Sequence, residues 1–176
     1  MPLGTRRNSP MKTNRLLLRP IVDSDIQNIY RGLSHPLVIK HYGVSFDSLE
    51  ATKEQMEWYR DPKQDWWAIC SVDNQEFYGA VGFNDISQEN KKAEIGLWLL
   101  PEYWGKGIMS EAMVLICNYG FEKLGLHRIE GFVESDNENC KRAMAKLDFD
   151  HEGTMRDCEV KNGKYVSVEI YARIKK

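Results

Sequence analysis

The hydrophobic and polar positions in the first half of the chain predict two helices followed by a set of strands. Apolar residues at helical spacing predict a helix over residues 23–33, and Ser48 is suited to cap a second helix. Three apolar segments follow at residues 66–72, 77–85 and 92–100, with turn-forming residues between them. This pattern predicts three antiparallel strands.

The second half predicts helices that alternate with strands. The segments are helices at residues 110–124 and 137–147, and strands at residues 128–133, 151–156 and 165–174. The last two strands are separated by Asn162 and Gly163, a pair typical of a tight hairpin turn. Strands first, and strand–helix–strand units later, predict an α+β domain with a mixed α/β sheet.

Two shorter segments flank the first helix. Residues 15–19 alternate charge with leucine and end before Pro20, which predicts a short strand. Residues 38–46 are aromatic and irregular, which fits either a packed connecting loop or the mouth of a substrate site.

The length and composition fit one globular domain. A domain of 176 residues buries about 70% of the surface of its unfolded chain. Residues 1–10 precede a second Met and lack the apolar core of a signal peptide, so we expect a disordered leader or tag there and a single domain at residues 11–176. The net charge of −2 gives no general affinity for nucleic acid, and no run approaches the roughly 18 apolar residues of a membrane span.

The cysteines argue against a disulfide framework or a metal site. They are Cys70, Cys117, Cys140 and Cys158, which are far apart and form no C-x-x-C pair. This spacing is typical of free thiols in a reducing cytoplasm. We therefore expect a cytoplasmic protein without a metal.

The stretch at residues 93–112 predicts a phosphate-binding turn. An apolar strand leads into a Pro, then a turn in which Gly105 and Gly107 flank Lys106, and then a helix expected to start at Ser110. Unpaired backbone N–H groups and the positive end of a helix together suit the oxygens of a diphosphate. The spacing does not match the phosphate loop of nucleoside triphosphatases, and Ser110 occupies the position where a dinucleotide fingerprint needs its third Gly. An oxidoreductase is therefore disfavoured.

A family resemblance rests on three segments, namely RLLLRPIVDSDI with a later HPLV, AEIGLWLLPEYWGKGIMSEA, and ESDNENCKRAMAKLDF. In this order they resemble the GNAT superfamily of acyl-CoA N-acyltransferases, in particular the Rim-type ribosomal-protein and spermidine N-acetyltransferases. The resemblance implies a GNAT-like fold, with a central, mostly antiparallel sheet flanked by helices. It also implies acetyl-CoA as the acetyl donor and direct transfer to a primary amine, which could belong to a protein N-terminus, a polyamine or a small molecule.

The resemblance also implies which residues bind the cofactor. The family's pyrophosphate motif falls on Trp104, Gly105, Lys106, Gly107, Ile108 and Met109, with Ser110 next. Trp104 replaces a polar residue and Met109 a small one; the bulk of Met109 implies a slightly altered loop path. Backbone groups near Leu97 and Leu99 are expected to bind the pantetheine arm, on a strand that splays away from its neighbour. Asn137 matches a pantetheine-contacting Asn of the family, and it is also a good N-cap.

The reaction needs a base, because an amine with a pKa of about 10.4 is protonated at neutral pH. Glu94 matches the strand carboxylate that acts as general base elsewhere in the superfamily, with Asn84 and Asp85 as candidates to position a water. A carboxylate becomes an effective base when burial raises its pKa or a water relays the proton. The alternative is a solvated Glu94 paired with Lys91 or Lys92.

The general acid is the main departure from the family. The usual Tyr is replaced by Met144, which cannot donate a proton, and the Ser of the Rim-type branch is replaced by Cys140. Cys140 could protonate the leaving thiolate or could act as a small packing residue. These replacements leave a second function open, a catalytically weak acyl-CoA-binding module of the same fold. A homodimer is compatible with either function.

Overall fold

The computed structural model describes residues 9–176. Its strands are β1 Met11–Lys12, β2 Leu16–Pro20, β3 Asp65–Ser71, β4 Phe77–Ser87, β5 Lys92–Leu99, β6 Arg128–Glu134, β7 Asp150–Lys161 and β8 Lys164–Ile174. Its helices are α1 Ile26–Leu33, α2 Pro36–Ile39, α3 Leu49–Trp58, α4 Ile108–Glu122 and α5 Glu138–Lys146, with 3-10 turns at Asp23–Asp25 and Pro101–Tyr103. The strands form one sheet in the order β1-β2-β3-β4-β5-β6-β8-β7.

Neighbouring strands are antiparallel except β5 and β6, which run parallel. A parallel pair needs a crossover connection, and α4 provides it. The predicted α+β class, with a mostly antiparallel mixed sheet flanked by helices, is confirmed.

Side chains alternate across the sheet and separate two hydrophobic cores. On β3, Trp67 packs into the core that contains Met113 and Ile116 of α4. Trp66, the residue before it on the strand, packs into the opposite core with Ile29 of α1 and Met56 of α3. Helices therefore cover both faces, and the site forms where the sheet opens between them.

The short helix α2 was not predicted, since its residues lie partly in the stretch expected to be irregular. Pro36 occupies the first turn, and the ring nitrogen of His35 accepts a hydrogen bond from the Leu37 N–H at 3.1 Å. A helix of this length has too few positions to show an apolar period.

The final hairpin is longer than predicted, because β7 continues to Lys161 instead of ending near residue 156. Most of its side chains are exposed, so the apolar alternation that marks a strand is missing. Asn162 and Gly163 both have positive φ, at 53° and 74°, which confirms the tight turn.

Two boundary predictions concern the chain start and α4. The expected leader at residues 1–10 lies largely outside the described residues. The helix α4 begins at Ile108 and not at Ser110, because Gly107 serves as its N-cap in the left-handed conformation. In residues 9–176, no helix is both long and apolar enough to span a bilayer.

Candidate active site

The turn before α4 presents a row of free backbone donors. Gly105 and Gly107 have φ of 73° and 76°, a conformation that favours glycine. Within residues 9–176, the backbone N–H groups from Gly105 to Ser110 donate to no acceptor, whereas the Glu111 N–H already bonds to the Gly107 carbonyl. Free N–H groups at the start of a helix attract anions, so this turn suits a diphosphate.

Side chains around this turn have defined partners. The indole Nε1 of Trp104 donates to the Leu99 carbonyl at 2.9 Å. The Lys106 ammonium lies 5.7 Å from the centre of the Tyr103 ring. Arg15 Nη2 lies 3.1 Å from the position that a Cβ on Gly107 would take. The turn therefore has a cation beside it that is distant in sequence.

Strands β5 and β6 separate after a short parallel contact. They pair at Lys92 with Arg128, at Ala93 with Ile129 and at Glu94 with Glu130. Beyond Glu94, β5 continues to pair with β4 on its other side, while β6 pairs with β8. The edge of β5 that faces β6 is therefore open from residue 95 onward, which is the splay expected for the strand.

A cavity of about 430 Å³ lies along this opening. Its walls come from β5, β6, the starts of α4 and α5, α3 and the loop after α2. Five of the sequence-predicted residues line it together: Glu94, Leu97, Met109, Asn137 and Cys140. The described lining also includes the carboxylates of Glu54 and Glu134 but no Lys or Arg. The cavity is thus acidic and continuous with the strand opening.

Glu94 lies in this cavity as a partly buried carboxylate. Burial, which has the larger effect, and the neighbouring charges of Asp85 and Glu130 together raise its pKa to about 7. Within residues 9–176 it has no ion-pair partner, because the ammonium of Lys92 binds Glu130 at 3.1 Å. The position facing Glu94 on β4 is Asn84, whose side-chain oxygen accepts from the Trp66 indole at 2.8 Å.

The start of α5 places a thiol in the same cavity. The side-chain oxygen of Asn137 caps the helix by accepting from the Cys140 N–H at 3.2 Å, which confirms its N-cap prediction. Burial raises the pKa of the Cys140 thiol to about 11. At neutral pH the group is therefore a protonated thiol and not a thiolate. Met144 also lines the cavity.

The family of the chain follows from comparison with known proteins. Residues 15–150 match the model of the acetyltransferase (GNAT) domain. The chain is a GNAT N-acetyltransferase. It is 33% identical over 170 residues to the uncharacterized N-acetyltransferase YoaA of Bacillus subtilis, a match that covers 94% of this chain and 96% of the relative.

Other relatives agree with the expected Rim-type and spermidine branch of the GNAT family. The ribosomal-protein-serine acetyltransferase of Escherichia coli is 33% identical over 56% of this chain and 55% of its own. Among solved structures, the spermidine N-acetyltransferase of Vibrio cholerae, in complex with CoA and spermine, has a TM-score of 0.86 at 20% identity. That match covers 92% of this chain and 96% of the other and shows the fold.

The predicted cofactor residues of this GNAT protein fall into two groups. Leu97, Met109 and Asn137 line the cavity. The second group forms the turn and the start of α4, outside the cavity wall. Its members are Trp104, Gly105, Lys106, Gly107, Ile108 and Ser110. Leu99 belongs to neither group, because its carbonyl already accepts from Trp104.

A charged network beside the cavity was not predicted from the sequence. Glu134 ends β6 and lines the cavity, and its carboxylate contacts His41 Nδ1 at 3.1 Å and the Lys161 ammonium at 3.1 Å. Lys161 also donates to the carbonyls of Lys40 at 2.6 Å and Ile39 at 3.2 Å. A charged residue at the end of an apolar strand was the only local signal of this network.

The expected absence of a metal remains a prediction. His41, Glu134 and Asp136 each offer one ligand atom, and these atoms lie within 4.8 Å of one another. The same groups already contact one another, with His41 Nδ1 at 3.4 Å from the Asp136 carboxylate and Glu134 paired with Lys161.

Proposed function

We propose that the protein transfers the acetyl group of acetyl-CoA directly to a primary amine. The observation that supports this most is the opening between β5 and β6, which leads from the free donors of the Gly105 turn to a cavity containing Glu94 and Cys140. A route of this shape suits a long cofactor with a diphosphate at one end and a reactive thioester at the other.

The cofactor would lie along this route in three parts. The diphosphate binds the backbone N–H groups between Gly105 and Ser110. The pantetheine arm follows the open edge of β5 near Leu97, as an added strand would, and passes Asn137. The thioester then reaches the cavity. The Vibrio cholerae protein of the same fold is described in complex with CoA, which supports this assignment.

Glu94 acts as the general base, directly or through a water. A base is most effective when its pKa is near the working pH, and burial raises the pKa of Glu94 to about 7. The substrate ammonium has a pKa of about 10.4, so its proton must be removed before the nitrogen attacks. Asn84 and Asp85, at the end of β4, are candidates to position a relaying water.

Cys140 donates an S–H hydrogen bond to the leaving sulfur. Its thiol has a pKa of about 11, whereas the leaving thiol has a pKa of about 8.5 by analogy with cysteine. Complete proton transfer from Cys140 would be uphill by about 2.5 units, so the leaving thiolate takes its proton from water or from the attacking nitrogen, which is positively charged in the tetrahedral intermediate and loses a second proton as the amide forms. The high pKa also argues against an acyl-cysteine intermediate, which needs a thiolate.

The acceptor is a small amine with more than one positive charge, such as a polyamine. Glu54 and Glu94 line the cavity without an ion-pair partner among the described residues, whereas Glu134, which also lines it, is paired with Lys161; the described lining lacks Lys and Arg. Lys161 joins the final hairpin to the loop after α2, where a protein chain acting as acceptor would need an open groove. Both features favour a small cation over a protein N-terminus.

The test is release of CoA thiol from acetyl-CoA in the presence of three acceptors: spermidine, a peptide with a free N-terminus and an amine-bearing antibiotic. We expect turnover with spermidine that exceeds the rate without an amine. CoA binding without thiol release for any acceptor would favour the second candidate, an acyl-CoA-binding module, which the replacement of the usual Tyr by Met144 supports.

A further inference from the structure

Arg15 lies beside the diphosphate turn although it is far from that turn in sequence. Its Nη2 atom is 3.1 Å from the position that a Cβ on Gly107 would take, so the guanidinium lies beside the turn. Arg15 precedes β2, which packs against α4, and nothing in the local pattern assigns it a role. Its position beside Gly107 places a positive charge next to the free backbone donors.

A carboxylate holds this guanidinium in place. Arg15 Nε donates to Glu111 Oε1 at 3.0 Å, and the Thr13 hydroxyl donates to Glu111 Oε2 at 2.7 Å. Within residues 9–176, the two Nη groups of Arg15 donate to no acceptor. The side chain is therefore oriented through one nitrogen, while the nitrogen beside Gly107 remains available.

The negative charge of Glu111 makes a cation favourable at this turn. Glu111 lies in the first turn of α4, where a carboxylate stabilises the helix but repels a diphosphate. Arg15 offsets this charge at the place where the phosphate oxygens would lie. Two nearby lysines have other partners: Lys141 on α5 pairs with Glu138 at 2.9 Å and with Glu169 at 3.1 Å, and the Lys106 ammonium lies 5.7 Å from the centre of the Tyr103 ring.

We infer that Arg15 is a cofactor-binding residue whose guanidinium donates to the diphosphate of coenzyme A beside the Gly105–Ser110 turn. The inference rests on the proposed function for the identity of the anion. Guanidinium–phosphate hydrogen bonds are charge-assisted and stronger than neutral ones. Arg15 thus adds a charge oriented by Glu111 to a turn whose other donors are the backbone N–H groups and the Lys106 ammonium.

The first experiment measures the Kd of CoA by calorimetry for the full chain. Arg15→Ala should weaken binding by about 10-fold, and Arg15→Lys should lie between it and the wild type. The matched control is Arg156→Ala, an exposed arginine on β7, which should bind CoA as the wild type does. No CoA binding by the wild type overturns the proposed function, whereas equal binding by wild type and Arg15→Ala overturns only the role of Arg15.

A double-mutant cycle separates direct contact from charge compensation. If Arg15 contacts the diphosphate, Arg15→Ala still weakens CoA binding when Glu111 is replaced by Gln. If Arg15→Ala no longer increases the Kd of CoA in the Glu111→Gln background, Arg15 only offsets the charge of Glu111 and the inference is wrong. The same penalty is expected with 3′-dephospho-CoA, and its loss there would place Arg15 at the 3′-phosphate and contradict the diphosphate contact.

Discussion

The Lys161 ammonium lies 3.1 Å from the Glu134 carboxylate, and this ion pair joins the tip of the β7–β8 hairpin to the wall of the cavity. Glu134 is largely buried, with 12% of its side chain exposed. Lys161 also donates to carbonyls at the end of α2, where the loop that lines the cavity begins. One side chain therefore links three segments that border the proposed acceptor site.

Lys161→Met should weaken acceptor binding without affecting the cofactor. Removing the ammonium leaves Glu134 with His41 as its remaining charged partner and releases the loop after α2. We expect the KM of the amine to rise about 10-fold, because the loss of the anchor on the lining loop outweighs the negative charge freed on Glu134, while the KM of acetyl-CoA is unchanged. Steady-state kinetics with the amine identified by thiol release measures both. Lys164→Met, at an exposed position of the same hairpin, is the control, and an equal rise in both KM values would contradict the assignment.

Glu94→Gln should remove most of the turnover near neutral pH. The ionised form of Glu94 accepts the proton, so the wild-type rate should increase with pH up to about 7. The variant should be about 100-fold slower at pH 7, and the difference should shrink at high pH, where the free amine becomes abundant. The pH profile of kcat for both proteins provides the measurement. A variant with an unchanged profile would show that Glu94 is not the base.

The raised pKa of Glu94 should also affect stability. The pKa is about 7 in the folded protein and 4.5 for the unperturbed group, so the folded state binds more protons between these two values. The contribution of Glu94 to the free energy of unfolding therefore decreases as pH rises from about 4.5 to about 7. Urea unfolding at several pH values should show a smaller decrease for Glu94→Gln than for the wild type. Glu89→Gln, at an exposed turn, should retain the wild-type slope.

Cys140→Ala should slow thiol release by a modest factor, about 10-fold, because the variant loses one hydrogen bond to the leaving sulfur. Cys140→Ser keeps a donor and should recover most of the rate. The two variants share a small side chain at this partly buried site, so their folding is compared by thermal unfolding. Full activity of Cys140→Ala would make the residue a packing element.

Local signals in the sequence, together with the family resemblance, were sufficient to predict the glycine turn, to select Glu94 as a catalytic candidate and to assign Asn137 as a helix cap. The glycines at 105 and 107 adopt the left-handed conformation that their residue type permits. Glu94, selected by the family resemblance, lies in the cavity, and its role as general base stays a prediction. Asn137 caps α5 through a contact that spans three residues, a distance within reach of a sequence pattern.

Contacts between segments that are distant in sequence could not be predicted from such local signals. Arg15 lies beside Gly107 only because the fold brings these segments together. The same holds for Lys161, which donates hydrogen bonds to Glu134 and to the end of α2. The start of α4 was misplaced by two residues, because Ser110 is a common N-cap type while the backbone uses Gly107. The strand β7 was predicted to end near residue 156 but continues to Lys161, since its mostly exposed side chains show no alternation of apolar and polar residues.

A crystal structure of the protein with bound CoA tests the central claim most directly. We predict that the diphosphate contacts the backbone N–H groups from Gly105 to Ser110, that the pantetheine arm lies between β5 and β6, and that the thiol enters the cavity near Glu94 and Cys140. A structure in which the diphosphate binds elsewhere, or in which the thiol does not reach the cavity, would contradict the account.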